Sequence, residues 1–112
     1  MKGVHCSWVD MNKIRQALAN GERGNFDGYV TLHGRKSLPA LPGVYLAFTD
    51  RAPLYAGMSG CLASRWERHE LYPLLRLLPR SYLAYRLCEA EFLRPRELLL
   101  IRRFRPLWQS RP

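Results

Sequence analysis

On a helical wheel at about 100° per residue, residues 95–104 put Leu100, Ile101 and Phe104 on one side and Arg96, Arg102 and Arg103 on the other. Glu97 falls in the middle of the apolar side, in register with Ile101 and Phe104 at i+4 and i+7. A carboxylate turned toward a core is costly unless its charge is compensated. The i+3 and i+4 neighbours, Leu100 and Ile101, offer nothing. Compensation is therefore expected from a tertiary arginine or from a metal ion.

Arg65 and His69 stand four apart, so they share a face if residues 62–70 are helical. That segment follows Gly57-Met-Ser-Gly60, and a glycine loop opening a helix presents free N–H groups to an anion. The plainer alternatives are an Arg65–Glu70 pair, at a poor i+5 spacing, and an ordinary half-buried histidine. Tyr45 and Tyr55 lie on two stretches that read as the strands of a hairpin, 43–48 and 54–56. Alternation places Tyr45 with Ala47 on one face, and Leu46 with Phe48 on the other. A strand tyrosine is usually packing. The pattern Gly-Val-Tyr, nine residues, Tyr-Ala-Gly is more specific than either ring alone.

The elements that must hold these side chains follow from patterning and breakers. Residues 7–20 read as a first helix with Met11, Ile14 and Leu18 on one face. Tyr29 to Leu32 suits a short strand, and 35–42 a connector with two prolines. After the hairpin come a helix over 62–70, a short helix within 71–79, and a strand over 82–87. A last helix runs from Pro95 to Phe104, stopped by Pro106. Two tightly joined strands must be antiparallel, so an α+β domain with a small sheet flanked by helices is expected.

With 112 residues the chain suits one domain. It carries 18 Lys+Arg against 9 Asp+Glu, a net +9, and its lysines are only Lys2, Lys13 and Lys36. Guanidinium forks match phosphate oxygens, so this balance points to a nucleic-acid partner. Cys6, Cys61 and Cys88 are too few and too scattered for a disulfide framework. With His5, His33 and His69 they make no zinc pattern. No apolar run is long enough to span a membrane, and no secretory leader opens the sequence. The expectation is a soluble cytoplasmic protein without a membrane partner.

Together these pieces resemble the GIY-YIG nuclease family. Gly43-Val44-Tyr45 and Tyr55-Ala56-Gly57 resemble its two signatures, and Ser59 follows at the usual offset. Leu62, Arg65 and His69 match the next helix, and Glu97 through Pro106-Leu107 the closing block. The resemblance runs from Leu41 to Trp108. It divides the chain into 1–40, a helix and connector packed on the core, and 41–112, the nuclease-like domain. It implies a three-stranded antiparallel sheet and a metal-dependent DNA endonuclease with one active site per chain. The implied catalytic residues are Tyr45, Tyr55, Arg65, His69 and Glu97. Glu97 would hold one Mg²⁺ or Mn²⁺, Tyr45 would activate or position water, and His69 would share or relay its proton. Arg65 would grip the scissile phosphate. Gly57, Ser59, Arg102 and Arg103 would contact substrate, with Gly57 allowing close backbone approach. A homodimer or partner protein would supply specificity. The family often carries an asparagine two residues past the closing proline, where this chain has Trp108 and then Gln109. That departure leaves open a different support for the site, lower activity, or a DNA-binding module that does not cut.

Overall fold

The computed structural model describes residues 26–78 and 80–109. The helix expected over 7–20, together with His5 and Cys6, lies outside the described residues. Four strands, β1 (Gly28–Thr31), β2 (Gly43–Thr49), β3 (Pro53–Ser59) and β4 (Ser81–Leu87), make one antiparallel sheet in the order β1-β4-β2-β3. The helices are α1 (Leu62–Glu67), α2 (Tyr72–Leu75) and α3 (Leu93–Phe104), with 3₁₀ turns at Arg35–Ser37 and Ala90–Phe92.

The β2–β3 hairpin closes through Thr49. Its N–H donates to the Ala52 carbonyl at 2.9 Å, and its hydroxyl accepts the N–H groups of Arg51 and Ala52 at 3.2 and 3.3 Å. A threonine at the strand end thus fixes the turn, and with it the register. As an inner strand, β2 is buried on both faces from Gly43 to Phe48. Val44, Leu46 and Phe48 meet Leu93, Leu100 and Phe104 of α3. Tyr45 and Ala47 meet Leu62 and Trp66 of α1 and Leu75 of α2 on the other face. The two-face assignment of the hairpin holds.

The resemblance implies three strands and the sheet has four, the fourth lying where the sequence suggests a short strand over 29–32. The addition is β1, which pairs with β4 from Gly28↔Tyr85 to Thr31↔Tyr82. Without it β4 would be an edge strand with a row of unpaired backbone groups. Leu32 and Leu38 enter the same core as Tyr45 and Trp66, so the described part of the first 40 residues shares the core of the rest. The helix expected over 62–70 ends at Glu67. The last helix begins at Leu93, so Pro95 sits inside its first turn, where no N–H is needed. Arg105, at φ 46°, ends that helix in the left-handed region before Pro106. Among the described residues no helix is long and apolar enough to cross a membrane.

Candidate active site

Strand register brings the two tyrosines together. Tyr45 faces Gly57 and Ala47 faces Tyr55, so both phenols emerge on the α1 face, with ring centroids 6.4 Å apart. Gly57 makes this possible. A Cβ there would stand 2.4 Å from the Tyr45 hydroxyl oxygen and 2.5 Å from Cζ. The glycine's bare face is filled by the phenol ring, so the close approach it permits is that of Tyr45.

His69 lies beyond the end of α1, in the link to α2, rather than on a shared helical face with Arg65. The link holds it by both polar ends of the residue. The Leu71 N–H donates to Nδ1 at 3.1 Å, and the Tyr72 N–H to the His69 carbonyl at 3.0 Å. Nε2 lies 2.7 Å from the Tyr45 hydroxyl oxygen. Since Nδ1 accepts from a backbone donor, the neutral ring carries its proton on Nε2 and donates it to Tyr45. The imidazole stacks on Trp66 with centroids 3.9 Å apart and planes 11° from parallel. Burial, reinforced by the Arg65 charge, lowers its pKa to about 4, so it is neutral near pH 7. The expected proton relay is therefore reversed in direction: His69 has no vacant nitrogen for the phenol's proton.

Arg65, from α1, has Nη2 2.8 Å from Glu70 Oε1. The pair forms despite the i+5 spacing because the chain leaves the helix between them. Glu70 is mostly exposed, so the pair is worth little and yields readily to a stronger anion. Arg65 also acts on Tyr45. Burial pushes that phenol above its ordinary value, and the guanidinium pulls it back part of the way.

Glu97 faces inward with Leu93, Leu100 and Phe104, and is only 8% exposed. Its partner is Arg94, one turn back in the same helix and 60% exposed. The compensation is thus neither tertiary nor enclosed: an i−3 arginine supplies it from solvent. Burial raises the Tyr55 phenol first, and the Glu97 charge, followed by that of Glu70, raises it further. The carboxylate is therefore within electrostatic reach of Tyr55. Among the described residues no three His, Cys, Asp or Glu side chains form a metal cage. A buried hard oxygen ligand with an exposed, displaceable partner fits the anchor of a Mg²⁺-type ion that keeps most of its waters.

The other expected contacts do not converge here. The Ser59 hydroxyl is spent in its own loop, donating to the Cys61 carbonyl at 2.9 Å and accepting the Cys61 N–H at 3.0 Å. Arg102 and Arg103 are exposed in the last turn of α3 and line a cavity with Val44, on the sheet face opposite Tyr45. One residue was missed. The Gln109 side chain brackets the middle of the second signature, accepting the Ala56 N–H at 2.9 Å and donating to the Ala56 carbonyl at 3.0 Å. Leu107 and Trp108 donate to the carbonyls of Pro53 and Leu54 at 3.2 and 2.7 Å, so the C-terminal segment zips along the edge of β3. The available signal was the amide next to the position where asparagine was expected.

No family model matches the chain, and no curated protein matches it by sequence. Solved structures do. The GIY-YIG N-terminal endonuclease domain of UvrC from Thermotoga maritima, as a tyrosine-to-phenylalanine point mutant bound to its catalytic divalent cation, superposes with a TM-score of 0.61 at 20% identity. That match covers 71% of this chain and 96% of the domain. The same domain bound to magnesium gives 0.60 at 19% identity, over 70% and 96% of the two chains. The chain has a GIY-YIG-like fold.

Proposed function

We propose that the chain is a metal-dependent endonuclease that hydrolyses DNA phosphodiester bonds, with one active site per chain. The observation that carries this reading is the buried Glu97 carboxylate acting on Tyr55, beside the hydrogen-bonded Tyr45–His69 pair. Support comes from the net charge of +9 and from the similar UvrC domains, which are endonuclease domains bound to a catalytic divalent cation.

Glu97 would hold one Mg²⁺ or Mn²⁺, which supplies Lewis acidity for the phosphate and the leaving oxygen. Tyr45 orients the attacking water, and takes its proton only after releasing its own phenol proton to bulk solvent as the phenolate. Burial alone disfavours the phenolate, so its formation needs positive charge nearby and donors aimed at the oxygen. His69 Nε2–H is such a donor, and Arg65 supplies charge. Arg65 exchanges Glu70 for the scissile phosphate and its developing charge. Tyr55 bonds a phosphate oxygen, and Gln109 keeps the strand that carries Tyr55 in register.

The test is nicking of supercoiled plasmid with Mg²⁺ or Mn²⁺. Nicking that disappears in EDTA and in Glu97→Ala, and slows by about 10²–10³ in Arg65→Ala, supports the enzyme. A second reading, a module that binds DNA without cutting it, is favoured by the cover that Arg94 places on the carboxylate. Plasmid binding with no nicking under either cation would establish that reading instead.

A further inference from the structure

Beneath the sheet, on the face away from the tyrosines, α3 and β4 enclose a cavity of about 380 Å³. The guanidiniums of Arg96, Arg102 and Arg103 border it beside Arg86, and among the described residues that line it there is no carboxylate. Val44 and Leu100 give it an apolar floor. Val44 pairs with Arg86 across β2 and β4, so both side chains leave the sheet opposite Tyr45. The sheet itself therefore separates this cavity from the tyrosine–histidine cluster.

Arg96, Arg102 and Arg103 bring three like charges from one helix to this cavity, and a bound anion relieves their mutual repulsion. Guanidinium groups select planar or tetrahedral oxyanions, phosphate above all. The rim is open: Leu99 is 57% exposed, and Arg102 and Arg103 are exposed. A small ligand here would stay largely solvated, whereas compact ligand sites enclose most of their ligand. A shallow arginine-edged trough with an apolar floor suits a polymer whose phosphates pass the rim while a sugar rests on the floor.

We propose that this trough is a second phosphate-binding site, which holds a nucleic-acid segment on the sheet face opposite the tyrosines and distinct from any strand placed against them. The assignment stands whether or not the chain cuts DNA.

The test uses the full chain in EDTA, so that binding is read without cleavage. The probe is a short fluorescein-labelled DNA duplex followed by anisotropy over a series of KCl concentrations. Each lost phosphate contact flattens the slope of log K against log salt by about 0.9. Arg102→Ala/Arg103→Ala is expected to flatten it by about 1.8, and by the same amount again in an Arg65→Ala background. Arg102→Lys/Arg103→Lys, which keeps the charge, retains the slope and guards against a folding artefact. In parallel, the duplex shifts the Arg96 and Arg102 side-chain NMR signals. An unchanged slope in the double alanine variant overturns the proposal. So does an effect that vanishes when Arg65 is absent. Inorganic phosphate saturating the arginine signals while the duplex leaves them unmoved would also overturn it, in favour of a small-anion site.

Discussion

The Nε2 of His69 lies 2.7 Å from the Tyr45 hydroxyl oxygen while its Nδ1 accepts the Leu71 N–H at 3.1 Å, so the ring approaches the phenol as a donor. Two observations should follow. Long-range ¹H–¹⁵N NMR should find His69 as the neutral Nε2–H tautomer near pH 7, protonating only near pH 4. The unfolded ring titrates near 6.5. Between pH 6.5 and 4 the unfolded chain thus binds a proton that the folded chain refuses, and stability falls as pH drops through that window. His69→Gln should lose this part of the slope in urea unfolding measured from pH 7 to pH 4. An Nδ1–H tautomer, or the same slope in the variant, would refute the donor assignment.

Gly57 and Tyr45 make the tightest fit in the site. An added Cβ meets the phenol at 2.4 Å, and the ring is 1% exposed, with Trp66 at 5.2 Å edge-on. Neither partner can move freely, so Gly57→Ala should cost about 1–3 kcal/mol, seen as a lower urea midpoint at unchanged m. Removing the hydroxyl should not rescue it, because Cζ is also only 2.5 Å away. Recovery in Tyr45→Phe/Gly57→Ala would mean that the clash is with the oxygen alone.

What the sequence reveals of this site is what local periodicity encodes. Strand alternation and an even offset put Tyr45 and Tyr55 on one face, and the 3.6-residue repeat turns Glu97 inward. Arg94 was not legible, because Pro95 reads as the first helical position, whereas the helix begins at Leu93 and so places Arg94 one turn before Glu97. Nor was His69: no glycine or proline marks the end of α1 between Glu67 and His69, and tertiary contacts decide the break. The pairing of β1 with β4 joins residues more than 50 positions apart, which no local pattern states. Gln109 depends on the register of a segment that is not a strand, so its role emerges only from the folded edge of β3.

The Arg94–Glu97 pair yields a prediction whose sign changes with the cation. Without metal, Arg94→Ala leaves a buried carboxylate uncompensated and should cost about 1 kcal/mol, the modest figure reflecting Arg94's exposure. With Mn²⁺ present the same variant should bind the ion about fivefold more tightly, since 1 kcal/mol of competition has gone. Thermal melts in EDTA and in Mn²⁺, with calorimetric titration of the cation, read both effects. Equal Mn²⁺ affinity in the variant and the parent would mean that Glu97 is not the anchor.

Gln109 should matter through β3 rather than through any contact with substrate. Its amide supplies both hydrogen bonds that a neighbouring strand would give Ala56, and Ala56 sits between Tyr55 and Gly57. Gln109→Ala removes both at once and should cost about 1–2 kcal/mol. Hydrogen exchange at the Ala56 amide should accelerate while amides of β2 and β4 keep their protection, because those strands pair with each other regardless. Gln109→Asn is one methylene shorter and should restore the protection only in part. If the reading of the site as a nuclease holds, nicking should decline in the same order, parent above asparagine above alanine. Full nicking in the alanine variant, with Ala56 exchanging freely, would show that the register of Tyr55 does not depend on this clamp.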